Sequence, residues 1–500
     1  VSAIMILPLT LFITTWGLPA VWQEAPYVFS PDKKSEREYC TTLIPLLLSM
    51  REVVDKDKLD LVIIVLDSLV DKYTPRDQAR QPRSKCYECY TDLSKYINGA
   101  ASSSTYTEAV NYIKQFIEEF VNCLLDKYNV DLRVKSHVIV APAVGSPGGN
   151  WVFRGELWDY QSKVLIELGE LCLNKPYQRV VLDLSHGINY MPSLTLHLSP
   201  MLSSILLLAH RELKNVEFIL YNSDPFSSNR PLVLNKDEVK VDSIYLIHRR
   251  IKLTELSGWA HCEVTKYLGL KKALDNIFHE ILDYVKYLYT SLYYPLPLAL
   301  YCLTREDTCR RLNEAWDKIK KGLEDSVFVN REKCEVLRPI TVDPLTLYMY
   351  YVARALCKRL GDHGIEDPSI TRLREREVEV YELVHKALHR VAQHELDDIV
   401  NKMRELRSRE VLYKCLKGSW IRLCQLRAIV GTEKDCCIEK IDLYKLENRR
   451  NLVAHAGLLK DLVEVFVEDD AKIKIRYVKR EELLKNMLEA LYSELIPVKS

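Results

Sequence analysis

The chain carries almost no net charge: 70 Lys and Arg stand against 69 Asp and Glu over 500 residues, a formal +1. A global basic field for holding long nucleic acid is therefore absent, and any contact with RNA must be local. Two phosphate-binding signatures are missing as well. There is no GxGxxG and no GxxxxGK(S/T), so dinucleotide and P-loop readings lose ground. Zinc has little to work with, because Cys86-x-x-Cys89 lacks a second CxxC or a His-x-His partner at ligand spacing. The apolar stretch from Ala3 to Ile13 is shorter than the ~20 residues a spanning helix needs. No Lys or Arg precedes it, as one would in a secretory signal. Its Ile and Leu content suits a buried strand, with a cytoplasmic location and no membrane partner as the matching expectations.

What is present describes a folded protein of two or more domains: 48% hydrophobic and 28% charged residues over a length too great for one core. Fourteen cysteines would suggest a disulfide framework in a small secreted chain. Here buried thiols are the expectation. The first half alternates short Val- and Ile-rich runs at 3–14, 60–66, 135–142, 179–185 and 216–222 with helical patterns at 107–128, 156–173 and 190–212. Unbroken apolar runs read as strands buried on both faces, hence a doubly wound, Rossmann-like α/β domain with a parallel-rich sheet over 1–250. Residues 238–248 alternate and read as an edge strand or hairpin. Residues 74–106 read as loop. A linker is expected at 251–268. Over 269–500 strand-like runs give way to helical periodicity, including long charged stretches at 370–409, 410–428 and 438–459. The expectation there is a helical domain with a β-hairpin at 462–479.

Asp183-Leu-Ser-His-Gly-Ile-Asn-Tyr-Met-Pro192 stands where a strand ends and a helix begins, the edge at which open α/β sheets bind ligands. Gly187 permits close backbone approach, and Ser185, His186 and Asn189 offer donors. A plain turn with a capping Asn is the competing reading. The first strand ends similarly in Thr14-Thr15-Trp16-Gly17, with Trp22 following, and a third turn runs from Gly145 to Trp151. In the second half, Arg450-Asn451-Leu-Val-Ala-His455 lies in a helical pattern. Five residues turn a helix by about 140°, so Arg450 and His455 do not share a face, whereas Asn451 and His455 do. A working site needs a facing helix, which a two-fold dimer supplies. Arg, Asn and His suit RNA cleavage by the ribose 2′-OH, with His moving protons and Arg stabilising phosphorane charge. A helix-end His beside a solvated Arg is the alternative.

Together these pieces resemble the CARF–HEPN ribonucleases of type III CRISPR systems, whose two ligand-loop motifs are similar to TTWGLPAVW and DLSHGINYMP. Their R-x4-H motif, commonly with Asn after the Arg, matches RNLVAH. The resemblance implies a dimer whose first domain binds cyclic oligoadenylate and whose second cleaves single-stranded RNA without metal or other cofactor. It implies 2′,3′-cyclic phosphate ends and an activator of four adenylates, with assembly beyond the dimer left open. Carried onto matching positions, it assigns Thr15, Trp16, Gly17, Ser185, His186, Gly187 and Asn189 to the activator and Arg450, Asn451 and His455 to cleavage. Residues 250–268 would couple the two. The alternatives are a ring nuclease, with Thr15, Ser185 and His186 cutting the activator, and a non-catalytic ligand-responsive regulator.

Overall fold

The computed structural model describes residues 8–29, 37–50, 58–71, 84–131, 136–225, 231–246, 254–256, 264–364, 366–431, 445–467, 473–478 and 480–495. The described residues of the first half hold nine strands: β1 (Thr10–Thr15), β2 (Ala25–Val28), β3 (Glu38–Tyr39), β4 (Leu59–Leu66), β5 (Ser136–Ala141), β6 (Val152–Arg154), β7 (Arg179–Asp183), β8 (Val216–Ser223) and β9 (Leu232–Val241). Eight form one sheet in the order β3-β2-β9-β8-β7-β1-β4-β5. The five apolar strands at its centre, β8-β7-β1-β4-β5, run parallel, as burial on both faces requires. The antiparallel strand on β8 is Leu232–Val241, earlier than the alternating stretch at 238–248. It is not an edge strand, since β2 pairs with it through Tyr27 and Val28.

Strand order dictates the layers. Among the parallel strands, β4 and β5 lie on one side of β1, and β7 and β8 on the other. Right-handed crossovers then place helix Tyr106–Lys127 on one face and helices Leu157–Asn174 and Ser199–Ala209 on the other. Tyr190–Ala209 is long and apolar enough to cross a membrane by composition. It is interrupted at Leu198 and packs inside the protein against Leu157–Asn174.

Several expectations need correction. Part of 74–106 is helical, Lys85–Asp92 and Ser94–Ser102, because Ser84 caps the first by accepting from the Tyr87 N–H at 3.1 Å. The cysteines are not all thiols. Tertiary proximity pairs Cys40 with Cys86, Cys89 with Cys123 and Cys309 with Cys357 across 34 to 48 residues. Loops of that length imply about 4 kcal/mol each of stabilisation from chain entropy. Cys172, Cys334 and Cys415 remain free.

The second half is helical, with Val264–Tyr293, Glu306–Asp325, Pro344–Leu360, Lys386–Ser408 and Arg480–Leu495 as its long members. Short strands survive there nonetheless. Within the expected linker, Thr254–Leu256 pairs with Ile340–Val342, and Glu335–Leu337 pairs in parallel with β6 of the first half. Most other residues of 250–263 lie outside the described ones. The charged stretch 370–409 is not one helix. A π-helical turn at Arg374–Val378 and the extended His385 (φ −166°) divide it, and His385 caps Lys386–Ser408 by accepting from the Ala387 N–H. The stretch 410–428 is likewise split by the strand Trp420–Arg422, which joins Val463–Phe466 and Ile475–Tyr477 in a three-stranded sheet. Of 438–459, residues 438–444 lie outside the described ones, and Leu446–Ala454 is helical.

Helix Pro344–Leu360 is buried along nearly every side. It packs against Leu157–Asn174 and Ser199–Ala209 from the first half and Val264–Tyr293 from the second. Beside this contact Arg338 reaches the carboxylate of Asp67, just beyond the end of β4, with the two side chains 4% and 3% exposed. Asp67 also accepts from the Tyr106 hydroxyl at 3.0 Å and the Ala143 N–H at 2.8 Å. Removing one partner strands the other charge in the interior. Arg338→Ala is therefore expected to lower the unfolding free energy by about 3–5 kcal/mol, read from the denaturant midpoint. A loss below ~1 kcal/mol would place the pair in solvent.

Candidate functional site

Strands β1 and β7 lie side by side, Thr14 opposite Asp183. The loops that follow them meet at their carboxyl ends, the edge at which open α/β sheets bind ligands, and form a crevice there. Asp183 is fully buried and organises that crevice. Its carboxylate accepts from the Thr14 hydroxyl at 3.0 Å, the Thr42 hydroxyl at 2.7 Å and the Ser185 N–H at 3.1 Å. The Thr42 N–H donates to His186 Nε2 at 3.1 Å, so that nitrogen carries no proton. The ring lies over Trp22 at 4.7 Å, tilted by 31°, and Trp22 in turn meets Trp16 edge-on at 5.3 Å. Gly187 has φ +124°, and a Cβ there would meet Thr15 Oγ1 at 3.2 Å. A Cβ on Gly17 would lie 3.5 Å from the Gly187 carbonyl carbon, so the two ligand loops touch.

The expected binding residues divide in two. Ser185, His186, Gly187 and Asn189 line the crevice: Asn189 is exposed and makes no side-chain cap, which removes the plain-cap reading, and Ser185 Oγ is enclosed without a hydrogen-bond partner. Gly17 lies against them. Thr15 and Trp16 do not face a ligand, because both are wholly buried. The Thr15 hydroxyl is committed to the His186 carbonyl at 2.5 Å, and Trp16 packs on Phe120. Trp22 is the aromatic face that remains. The commitment of Thr15 also leaves the ring-cutting alternative without one of its three groups. The third turn is organised elsewhere, around Asp71, which accepts from the Asn150 and Trp151 N–H groups at 3.1 and 3.3 Å.

In the second half, helix Leu446–Ala454 is anchored by buried Leu452, with Ala456 and Leu458 buried just beyond its end. Arg450 and Asn451 are exposed. His455 sits at the helix C-cap, its N–H donating to the Asn451 carbonyl at 3.0 Å. Its Nδ1 lies 3.2 Å from Glu395 Oε1, the two side chains being 43% and 11% exposed. That carboxylate raises the His455 pKa against the opposing effect of burial. The sequence shows Glu395 only as one residue of the charged helical stretch 370–409. The stripe Ala392, Leu396, Ile399 and Met403 was the available signal, since it turns Glu395 and Asp398 toward the core side. Asp183, Thr14 and Thr42 were also missed. Their contacts are 141 and 169 residues apart in sequence.

A ligand crevice on a Rossmann-like sheet followed by an Arg-Asn-His helix defines a sensor joined to a ribonuclease. Two family models match accordingly: the CARF domain of the CRISPR system endoribonuclease Csx1 over residues 11–225, and the HEPN domain of the same enzyme over 373–481. The CRISPR system endoribonuclease Csx1 of Methanocaldococcus jannaschii is 24% identical over 492 residues, 92% of this chain and 88% of that protein. The chain belongs to the CARF–HEPN endoribonucleases of CRISPR systems, and the regulator reading falls.

Burial lowers the His186 pKa, outweighing the attraction of Asp183. A depressed folded-state pKa means stability that is present above about pH 6.5 and lost as the pH falls below it. An NMR titration, with the resonance assigned by His186→Ala, is expected to show a His186 midpoint below 6.5. A midpoint at or above that value would mean that Nε2 does not accept from Thr42.

Proposed function

We propose that this enzyme is the cyclic-oligoadenylate-activated, metal-independent ribonuclease of a type III CRISPR defence, acting in the cytoplasm as a homodimer on single-stranded RNA. The observation that carries the activator half is the unsatisfied polar lining of the crevice. Ser185 Oγ has no partner, Asn189 is uncommitted and Gly187 holds its backbone open beside the Trp22 face. Those groups suit a phosphate and a stacked base. A ring with two-fold symmetry fits a crevice repeated across a dimer axis, and four adenylates are the favoured size.

For cleavage, the 2′-hydroxyl gives its proton to solvent water as its oxygen forms a bond to phosphorus, while the bond from phosphorus to the 5′-oxygen breaks. This leaves a 2′,3′-cyclic phosphate on one product and a 5′-hydroxyl on the other. His455, whose pKa Glu395 raises, is suited in its protonated form to give its proton to the leaving 5′-oxygen. Arg450 stabilises the charge on the phosphorane, and Asn451 orients a phosphate oxygen. Both stand exposed on a helix end, so each helix contributes half a site and a second copy completes it. Binding of the ring favours one arrangement of the paired helices through its differential affinity for that arrangement.

The test is cleavage of a single-stranded RNA in EDTA, with and without cyclic tetra-adenylate. Cutting is expected to need the ring, to survive EDTA and to fall by about 10²- to 10⁴-fold in His455→Ala. His186→Ala is expected to raise the ring concentration needed for half-activation. Ring-independent cutting, or none with any ring size, would overturn the activator assignment.

A further inference from the structure

The backbone of His455 is pinned on both sides: its N–H donates to the Asn451 carbonyl at 3.0 Å, and its carbonyl accepts from the Leu458 N–H at 2.7 Å. Its imidazole is then the one part free to turn. Glu395, on helix Lys386–Ser408, holds it at 3.2 Å through Nδ1 from a nearly enclosed position, while the ring stays 43% exposed. One nitrogen thus faces the Glu395 carboxylate, while part of the ring remains open to solvent.

We propose that Glu395 is a positioning residue for RNA cleavage. It fixes the His455 ring so that Nδ1–H is spent on the carboxylate and Nε2 is presented to the scissile phosphate. The inference rests on His455 being the proton-transfer group of the preceding section. A carboxylate that orients an imidazole and stabilises its cation is a general device of acid–base catalysis.

The surroundings make Glu395 the dominant charge. On the same helix Asp398, one turn on, is paired with Arg427 of helix Leu423–Ile429 at 3.0 Å. Those two charges oppose one another at His455, where Arg427 disfavours the imidazolium and Asp398 favours it. Among the described residues, Glu395 is the carboxylate in direct contact with the His455 ring. Its low exposure keeps the interaction from being screened as a surface pair would be. Sign follows directly. Glu395 keeps His455 protonated to higher pH, so an acid role for His455 is lost only as the pH rises through a midpoint above the ordinary 6.5.

The experiment compares full-length wild type, Glu395→Gln, Glu395→Asp and His455→Ala in activated RNA cleavage from pH 5.5 to 9, with kcat and KM separated. Glu395→Gln keeps the shape and loses the charge. It is expected to move the alkaline limb of kcat down by about one pH unit and to lower kcat about tenfold at pH 8, with KM for RNA unchanged. Glu395→Asp keeps the charge and is expected to retain most of the wild-type limb. An unchanged pH profile in Glu395→Gln alongside an inactive His455→Ala would overturn the role of Glu395 while sparing that of His455. An active His455→Ala would instead remove the functional reading beneath it. Should Glu395→Gln fail to fold, the NMR midpoint of His455 in the wild type decides: above 6.5 supports the proposal, at or below 6.5 overturns it.

Discussion

A buried carboxylate must have its lone pairs met, and at the carboxyl edge of this sheet that requirement sets the shape of everything around it. Asp183 takes donors from three segments that are remote in sequence: the end of β1, the loop ahead of helix Leu43–Met50, and its own turn. None of those segments can shift without leaving charge unpaired. The crevice is therefore arranged before any ligand arrives, so little binding energy goes into ordering it. The same Thr42 that serves Asp183 also donates its N–H to His186 Nε2, which ties the chemistry of the crevice to its architecture.

The nuclease end works by the same logic with the opposite sign. At the sensor edge burial pushes a histidine pKa down, while at the C-cap of helix Leu446–Ala454 a close carboxylate pushes one up. Two histidines of one chain are shifted in opposite directions by what faces them, and that difference suits one to recognition and the other to proton transfer. Between the two ends stands the enclosed Asp67–Arg338 pair, one strand away from β1 and part of the same edge.

How much of this was legible depended on range. The central strands and the long helices announced themselves through local periodicity, as did the hairpin Val463–Phe466 with Ile475–Tyr477. Ser185, His186, Gly187 and Asn189 were legible because one turn carries all four. What failed was everything decided by distant contact. Cys86 and Cys89 looked like a lone pair and enter two different bridges. Trp16 looked like a stacking platform, yet Phe120, about a hundred residues later, closes over it. Glu395 sat in a run of mixed charge whose break at His385 is a matter of backbone conformation, and only the folded helix turns it toward His455.

Helix Pro344–Leu360 belongs to neither of the two matched regions, which end at 225 and resume at 373. Yet its sides are buried against both halves. The seam drawn by homology is thus not the seam along which this molecule comes apart. A piece trimmed to either match would expose this helix or the socket that receives it. A chimera that joined another nuclease to the same sensor would have to carry this helix along or refit it.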